Sequence, residues 1–186
     1  MKKTFSLLLI AIFSLISVQG QLLQYEPFSY TPDATLGLWT QSSQAWLRIN
    51  PGDSVLVTNG SLTYTGLASS NGNKIAFDGS GSDYYRTVTT TAVTSGSVYM
   101  SFVLNVASLG TLGTAGGYFI SLVQGGSTTS YGGAVWLRAS TTSGKYNVGV
   151  STRSNSAVTW LAADLTPGVN NFIVVSYDII TGTAND

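Results

Sequence analysis

The stretch Ser97–Val123 constrains the fold most, because it places two long apolar runs on either side of the glycine-rich turn Leu109–Gly117. In the first run every second residue is apolar: Val98, Met100, Phe102, Leu104 and Val106. Successive side chains of a strand point to opposite faces, so this period of two is typical of a strand with one buried face. The second run, Y-F-I-S-L-V, is similarly apolar. We expect both runs to be inner strands of a large sheet that packs on another sheet.

Short runs of β-branched and aromatic residues, separated by Gly, Ser, Asn and Asp, continue through most of the chain. Such runs predict strands, and no helix-period window of useful length follows residue 20. The pair Asn59-Gly60 predicts a hairpin between Ser54–Thr58 and Ser61–Thr65. We therefore predict an all-β fold, a two-sheet antiparallel jelly-roll sandwich, with an eight-stranded closed barrel as the alternative.

The first twenty residues are typical of a cleavable signal peptide. Lys2 and Lys3 form a positive start, Phe5–Ile16 form an apolar segment, and Val18 and Gly20 supply the −3 and −1 positions of a cleavage site. The apolar segment is shorter than the roughly 20 residues that a membrane-spanning helix needs. We predict a signal peptide over 1–20 and one jelly-roll domain over 21–186, secreted and without a membrane span after cleavage.

Two runs near the start of this domain carry weaker strand signals. Leu22–Tyr30 contains Pro27, which cannot donate a ladder hydrogen bond, so we expect an edge strand or a strand with a break. Tyr84–Thr91 is predicted as a strand that follows the flexible loop Asp78–Asp83.

Composition narrows the classes of function. The chain has no cysteine and no histidine, which removes thiol chemistry, the commonest general base and the commonest metal ligand. Eight basic residues balance eight acidic ones, and no basic patch points to nucleic acid. Retaining glycosidases need two carboxyl groups about 5–5.5 Å apart. The chain has one glutamate, Glu26, and no predicted strand carries two acids at i, i+2 spacing. We therefore expect no catalysis by this chain.

Calcium is the ion that the remaining polar residues suit best, because it prefers oxygen ligands from carboxylates and loop carbonyls. Two pairs are candidates: Asp78 with Asp83 in the flexible loop, and Asn185 with Asp186 at the end of the sequence. Loop aspartates more often form turns than bind metal, so turn formation is the alternative for both pairs. No other cofactor is expected.

Aromatic residues carry the binding hypothesis, because sugar rings stack on the faces of Trp and Tyr. Trp136 lies on the polar phase of the run Ala134–Ser140, two residues before Arg138. A second candidate set adjoins the loop Asp78–Asp83 and consists of Tyr84, Tyr85 and Arg86. For any single aromatic residue a place in the core is the favoured alternative, and this holds for Trp39, Trp46 and Trp160 as well. One concave sheet could bring the two candidate sets together.

Several motifs resemble those of one domain family. They include Y-E-P-F-S-Y, S-G-S-V-Y-M-S-F-V-L-N-V, G-G-Y-F-I-S-L and V-W-L-R-A-S-T, and the resemblance covers nearly all of Leu22–Asp186. The chain resembles the concanavalin A-like, laminin-G-like jelly rolls of secreted, multidomain surface proteins of Gram-negative bacteria, which are often exported by the type IX route. The resemblance implies further strands and further domains beyond residue 186.

The resemblance also implies a function: a secreted or cell-surface, non-catalytic module for carbohydrate binding or adhesion within a larger exported protein. The expected partners are a glycan or polysaccharide and the downstream domains of the same chain. Two alternatives stay open. The module is an architectural spacer, or it is the accessory domain of a secreted hydrolase whose catalytic part lies beyond residue 186.

The signal-peptide prediction has a direct measurement. We expect cleavage after Gly20, so the exported protein begins at Gln21. Mass spectrometry of protein recovered from the culture medium or cell surface checks this N-terminus. Exported protein that retains Met1 would contradict the prediction.

Overall fold

The computed structural model describes residues 20–37, 46–125, 127, 129–154 and 156–182. Within these residues the chain forms ten strands and no helix. The strands are β1 (Leu47–Arg48), β2 (Leu56–Thr58), β3 (Lys74–Ala76), β4 (Tyr84–Tyr85), β5 (Gly96–Asn105), β6 (Gly117–Val123), β7 (Tyr131–Ala139), β8 (Tyr146–Arg153), β9 (Thr159–Trp160) and β10 (Asn170–Ile179). The all-β prediction is thus confirmed, and the described part of the chain holds no helix long and apolar enough to span a membrane.

Two larger assemblies organise these strands. One is an antiparallel sheet in the order β6-β7-β8-β9, built from strands that follow one another in the sequence. The other is the long antiparallel ladder of β5 with β10, which runs from Gly96 opposite Ile179 to Asn105 opposite Asn170. Two short pairs, β1 with β4 and β2 with β3, complete the described sheets.

The core lies between the β5–β10 ladder and one face of the four-stranded sheet. Its buried members come from both layers: Leu104, Val106, Val135, Tyr146, Val148 and Val175. Tyr146 is fully buried, and its hydroxyl accepts a hydrogen bond of 3.1 Å from Asn171 Nδ2. Burial raises the pKa of Tyr146. Two layers that share one apolar interior give the molecule a sandwich-like architecture.

The register expected for β5 is confirmed. Val98, Met100 and Phe102 are half-buried and Leu104 is buried, whereas the alternate residues Tyr99 and Ser101 are exposed. Tyr99 is 68% exposed, which places it on the face that points away from the core. The period of two in the sequence therefore identified the buried face of this strand correctly.

The prediction that both long runs are inner strands of one large sheet is wrong for the described residues. β5 pairs with β10 in a two-stranded sheet, and β6 lies at an edge of the four-stranded sheet. The apolar face of β5 is instead covered by the opposite layer, through residues such as Val135 and Val148. Its other face, with Ser97 and Ser101, is exposed and needs no second layer.

The hairpin predicted at Asn59-Gly60 is also wrong. β2 ends before this pair, and its ladder partner is β3, which begins at Lys74. The reason is the side chain of Asn73, whose Oδ1 accepts a hydrogen bond of 3.1 Å from the Gly60 amide. Lys74 Nζ reinforces the arrangement by donating to the carbonyl of Asn59 at 2.6 Å. The chain therefore leaves the bend as a loop. It returns to pair with β2 at Lys74, which is 14 residues after Gly60.

The two weaker strand predictions are shortened or lost. Leu22–Tyr30 forms no strand, because Phe28 takes a φ of 51° just after Pro27 and its amide donates to Glu26 Oε1 at 2.7 Å. Of Tyr84–Thr91, the first two residues alone form a strand, β4.

A substitution on β5 tests the layer contact. Phe102 is half-buried and packs edge-to-face on Phe119 of β6, with 5.8 Å between ring centroids. Phe102→Ala should therefore cost about 2–3 kcal/mol of unfolding free energy, below the 3–5 kcal/mol typical of a fully buried phenylalanine. Urea denaturation measures this loss.

Tyr99→Ala is the matched control, because it removes an aromatic ring from the exposed face of the same strand. Its effect should stay within about 0.5 kcal/mol. Equal losses for the two variants would contradict the assigned faces.

Candidate functional site

An unbroken row of paired positions crosses the four-stranded sheet and brings three aromatic residues together. Tyr118 of β6 pairs with Trp136 of β7, Trp136 pairs with Gly149 of β8, and Gly149 pairs with Trp160 of β9. Paired positions lie on the same face of a sheet. We call Tyr118, Tyr131, Trp136, Arg138 and Trp160 the aromatic platform.

The platform lies on the face of the sheet that points away from the core. Val135 belongs to the buried core and Leu137 packs against it. Trp136 and Arg138 alternate with these residues along β7, so their side chains point to the opposite face. The prediction that Trp136 and Arg138 share the polar phase of this strand is therefore confirmed. Their role in binding stays a prediction.

Tyrosine rings extend the platform at the β6 edge. The rings of Tyr118 and Tyr131 stack with 4.8 Å between centroids and 27° between planes. Tyr118 also contacts Trp136 at 5.6 Å, with planes inclined by 59°. Tyr118 stays 43% exposed, so ring surface is open to a ligand. Burial raises the pKa of Tyr118, and Tyr131 and the charge of Asp83 add to this effect.

The Trp136 indole is half-buried and fixed at its edge. Its Nε1 donates a hydrogen bond of 2.9 Å to Ser151 Oγ on β8. Ser151 is fully buried, so the tryptophan both satisfies and covers a polar group of the sheet. The orientation of the ring is therefore set by the sheet before any ligand arrives.

The Trp160 indole lies across the sheet over two glycines. A Cβ added to Gly149 would lie 2.6 Å from Trp160 Cε3, and a Cβ added to Gly116 would lie 2.9 Å from Trp160 Cη2. Both distances are too short for real contacts, so these positions leave room for the ring by lacking a side chain. Trp160 is half-buried and lies outside the core cluster, which corrects the favoured expectation of a core residue.

Arg138 is held over the Trp160 ring. Its guanidinium carbon lies 4.4 Å from the ring centroid, and its Nε donates to Asn147 Oδ1 at 3.3 Å. Asn147 is buried, and its Nδ2 donates to Asp164 Oδ1 at 2.9 Å. Ser140 Oγ also donates to this oxygen, at 2.5 Å. Hydrogen bonds from Ser140, Thr142 and Asn147 lower the pKa of Asp164.

The second candidate set is organised around a different group, the Glu26 carboxylate. Arg86 forms an ion pair with Glu26, and both side chains are largely buried. The Arg86 contact is to Glu26 Oε2, and this oxygen also accepts hydrogen bonds from the Tyr30 hydroxyl at 3.0 Å and from Trp46 Nε1 at 2.9 Å. Burial and the neighbouring Glu26 raise the pKa of Tyr30. This network joins the segment before β1 to the residue after β4. The guanidinium of Arg86 is therefore engaged in a structural ion pair.

The two tyrosines of this set differ in exposure. Tyr85 is 41% exposed, whereas the Tyr84 hydroxyl is buried and has no hydrogen-bond partner among the described residues. Asp83, just before β4, lies close enough to Tyr118 for its charge to raise the pKa of that phenol. The start of β4 thus approaches the β6 edge of the platform, while Arg86 is held by Glu26.

The calcium candidates have separate surroundings. Asp78 Oδ1 accepts hydrogen bonds of 3.1 Å from the amide and the hydroxyl of Ser80, and these bonds lower the pKa of Asp78. Asp83 Oδ2 accepts one of 2.9 Å from Asn50 Nδ2. The described ranges contain no group of three or more acidic side chains that could hold a metal. Asn185, Asp186 and Trp39 lie outside the described residues, so calcium binding stays a prediction.

Sequence reasoning named two members of the platform, Trp136 and Arg138, and missed the two tyrosines. Simple alternation puts Tyr118 in phase with Ile120 and Tyr131 in phase with Val135, so no signal in the sequence indicated that these tyrosines share a face with Trp136. The register shifts along β6 and the positive φ of Gly133 in β7 interrupt the alternation, and neither follows from the spacing of the residues. Comparisons with protein-family models, with curated proteins and with solved structures gave no match to this chain.

The ion pair yields a stability prediction. Arg86→Met leaves the Glu26 carboxylate without its cation in a largely buried place. Removing one partner of a fully buried pair costs about 3–5 kcal/mol, so we expect a loss of about 2–3 kcal/mol for this partly exposed pair. Chemical denaturation measures the loss.

The double variant Glu26→Gln with Arg86→Met is the control. It also removes the unpaired charge, so it should be more stable than Arg86→Met alone. Wild-type stability for Arg86→Met would show that the pair contributes nothing to the fold.

Proposed function

We propose that this chain is a secreted or surface-displayed, non-catalytic jelly-roll module that binds carbohydrate through the aromatic platform, within a larger exported protein. The observation that carries the proposal is the row Tyr118–Trp136–Gly149–Trp160 on the face opposite the core. The Tyr118 ring is exposed, and the rings of Trp136 and Trp160 are half-buried. The hydrogen bond from Trp136 to Ser151 fixes the orientation of the central ring.

The chemistry of the platform suits a sugar. The C–H bonds on the face of a pyranose ring are attracted to the negative face of an aromatic ring. The hydroxyl groups around the sugar need hydrogen-bond partners, and Arg138 and the Tyr118 phenol lie at two ends of the row. A site with rigid aromatic surface and a few polar groups orients a ligand at low entropic cost.

A groove elsewhere on the molecule suits a sugar less well than the platform does. This groove has a volume of about 350 Å³ and lies between the edge of β10 and strands β8 and β9. Its lining is mainly apolar, with Val148, Val175 and Leu161 among its members. Its polar side chains are the hydroxyls of Thr159 and Ser176, and its lining contains no charged group, tryptophan or tyrosine, so the platform is the better candidate.

The non-catalytic part of the proposal is supported by the surroundings of two carboxylates. Glu26, the one glutamate of the chain, is committed to Arg86, Tyr30 and Trp46. Asp164, which is linked to Arg138 through Asn147, accepts hydrogen bonds from Ser140 and Asn147.

An immobilised glycan array probed with multimerised protein tests the proposal, since one stacking contact and a few hydrogen bonds leave a dissociation constant on the order of 1 mM to 1 µM. Trp136→Ala and Tyr118→Ala should each weaken retention by about threefold to tenfold, the loss of one aromatic contact. Thermal melting confirms that each variant is folded.

Tyr99→Ala is the matched control, because Tyr99 is an exposed tyrosine on the outer face of the other layer. Its retention should equal that of the parent. Tyr85→Ala tests the second candidate set in the same assay. A folded parent that retains no glycan would favour the architectural spacer instead, and retention unchanged in both platform variants would place the binding elsewhere.

A further inference from the structure

We infer that the platform is selective for acidic glycans, and that Arg138 binds the carboxylate of a uronic acid residue. The inference rests on the proposed function, since it names the class of sugar that the same site would take.

The guanidinium of Arg138 is prepared for an anion. One of its faces lies on the Trp160 ring, 4.4 Å from the centroid, and its Nε is used by Asn147 Oδ1 at 3.3 Å. Its two terminal nitrogens have no acceptor among the described residues. Two parallel N–H groups on a planar guanidinium match the two oxygens of a carboxylate. Because the stack and the Asn147 contact already restrict the side chain, little further ordering is needed on binding.

The distribution of charge along the platform also supports an acidic ligand. Lys145, which follows the β7–β8 turn, donates through Nζ to Thr166 Oγ1 at 2.7 Å and forms no ion pair among the described residues, although it is close enough to Asp164 to help lower the pKa of that carboxyl. Asp164 lies beyond Asn147, where its carboxylate accepts from Ser140 and Asn147. Two cationic side chains, Arg138 and Lys145, thus accompany the one carboxylate of Asp164, which leaves a net positive charge at the Arg138 end of the platform. The negative Asp83 acts at the Tyr118 end. An acidic sugar is attracted to the Arg138 end and kept from the other.

The spacing along β7 allows one sugar residue to use both groups. Trp136 and Arg138 are separated by two positions of an extended strand, which is about 7 Å. A pyranose ring stacked on Trp136 would therefore place an attached carboxylate within reach of the Arg138 terminal nitrogens. A neutral sugar would make the stacking contact but would offer Arg138 only a hydroxyl group, without the paired, charge-assisted hydrogen bonds that a carboxylate accepts.

The experiment compares carboxylated and neutral oligosaccharides of equal length on the folded protein. The probes are oligogalacturonate, oligomannuronate and a glucuronate-bearing oligomer, each beside its neutral counterpart. We expect at least one acidic probe to bind about tenfold tighter than its neutral counterpart at low salt, and this preference to shrink at 0.5 M salt.

Arg138→Gln should weaken binding of the acidic probe by about 10- to 100-fold and change binding of the neutral probe by less than threefold. Arg138→Lys should restore part of the preference, because it keeps the charge and loses the planar fork. Lys74→Gln is the matched control: it removes one positive charge from β3, where Lys74 Nζ bonds the carbonyls of Asn59 and Gly60. It should leave both affinities unchanged.

The possible failures are distinguishable. A protein that binds neutral and acidic probes equally, or whose preference survives Arg138→Gln, overturns the acidic selectivity and leaves the proposed function standing. Tighter binding of a sulfated oligomer than of any carboxylated one overturns the assignment to a carboxylate. A folded protein that binds none of the probes overturns the proposed function and this inference together.

Discussion

The alternation of β7 and β8 between two faces is the constraint on which both the core and the platform depend. Val135 and Val148 point into the core, and their neighbours Trp136 and Gly149 form the central pair of the platform. A shift of one residue in either strand would exchange these faces. Burial of a valine side chain contributes about 1.5–3 kcal/mol, so the core resists such a shift strongly. The apolar interior therefore determines where the aromatic surface lies, although the two share no residue.

Two glycines matter as much to the platform as its rings. Gly149 faces Trp136 on one side and Trp160 on the other, and the Trp160 ring fills the space where a side chain would stand. The backbone of Gly149 does not require the left-handed region, so space alone explains this glycine. Gly116 combines the same lack of space with a φ of 73°, which side-chain-bearing residues rarely adopt. An alanine at either position would displace Trp160, and with it the stack that holds Arg138.

Local patterns in the sequence predicted the features that depend on local structure. The buried face of β5 and the shared phase of Trp136 and Arg138 follow from the period of two, which operates within one strand. Features that depend on distant partners were missed. Asn73 captures the bend at Gly60 and prevents a hairpin, and Glu26 binds Arg86 across 60 residues. No composition or spacing rule identifies such partners, because each depends on how the whole chain returns to the same place.

The long ladder has a consequence for the order in which the molecule assembles. Ser97 and Asp178, bonded at 2.5 Å across β5 and β10, are 81 residues apart in the chain, and Asn105 and Asn170 are 65 residues apart. Closing such large loops is entropically costly and slow. The sheet β6-β7-β8-β9 needs much shorter loops, because each of its strands pairs with the next in sequence. We therefore expect this sheet to form first, with the aromatic platform already on its outer face, and the β5–β10 layer to dock last.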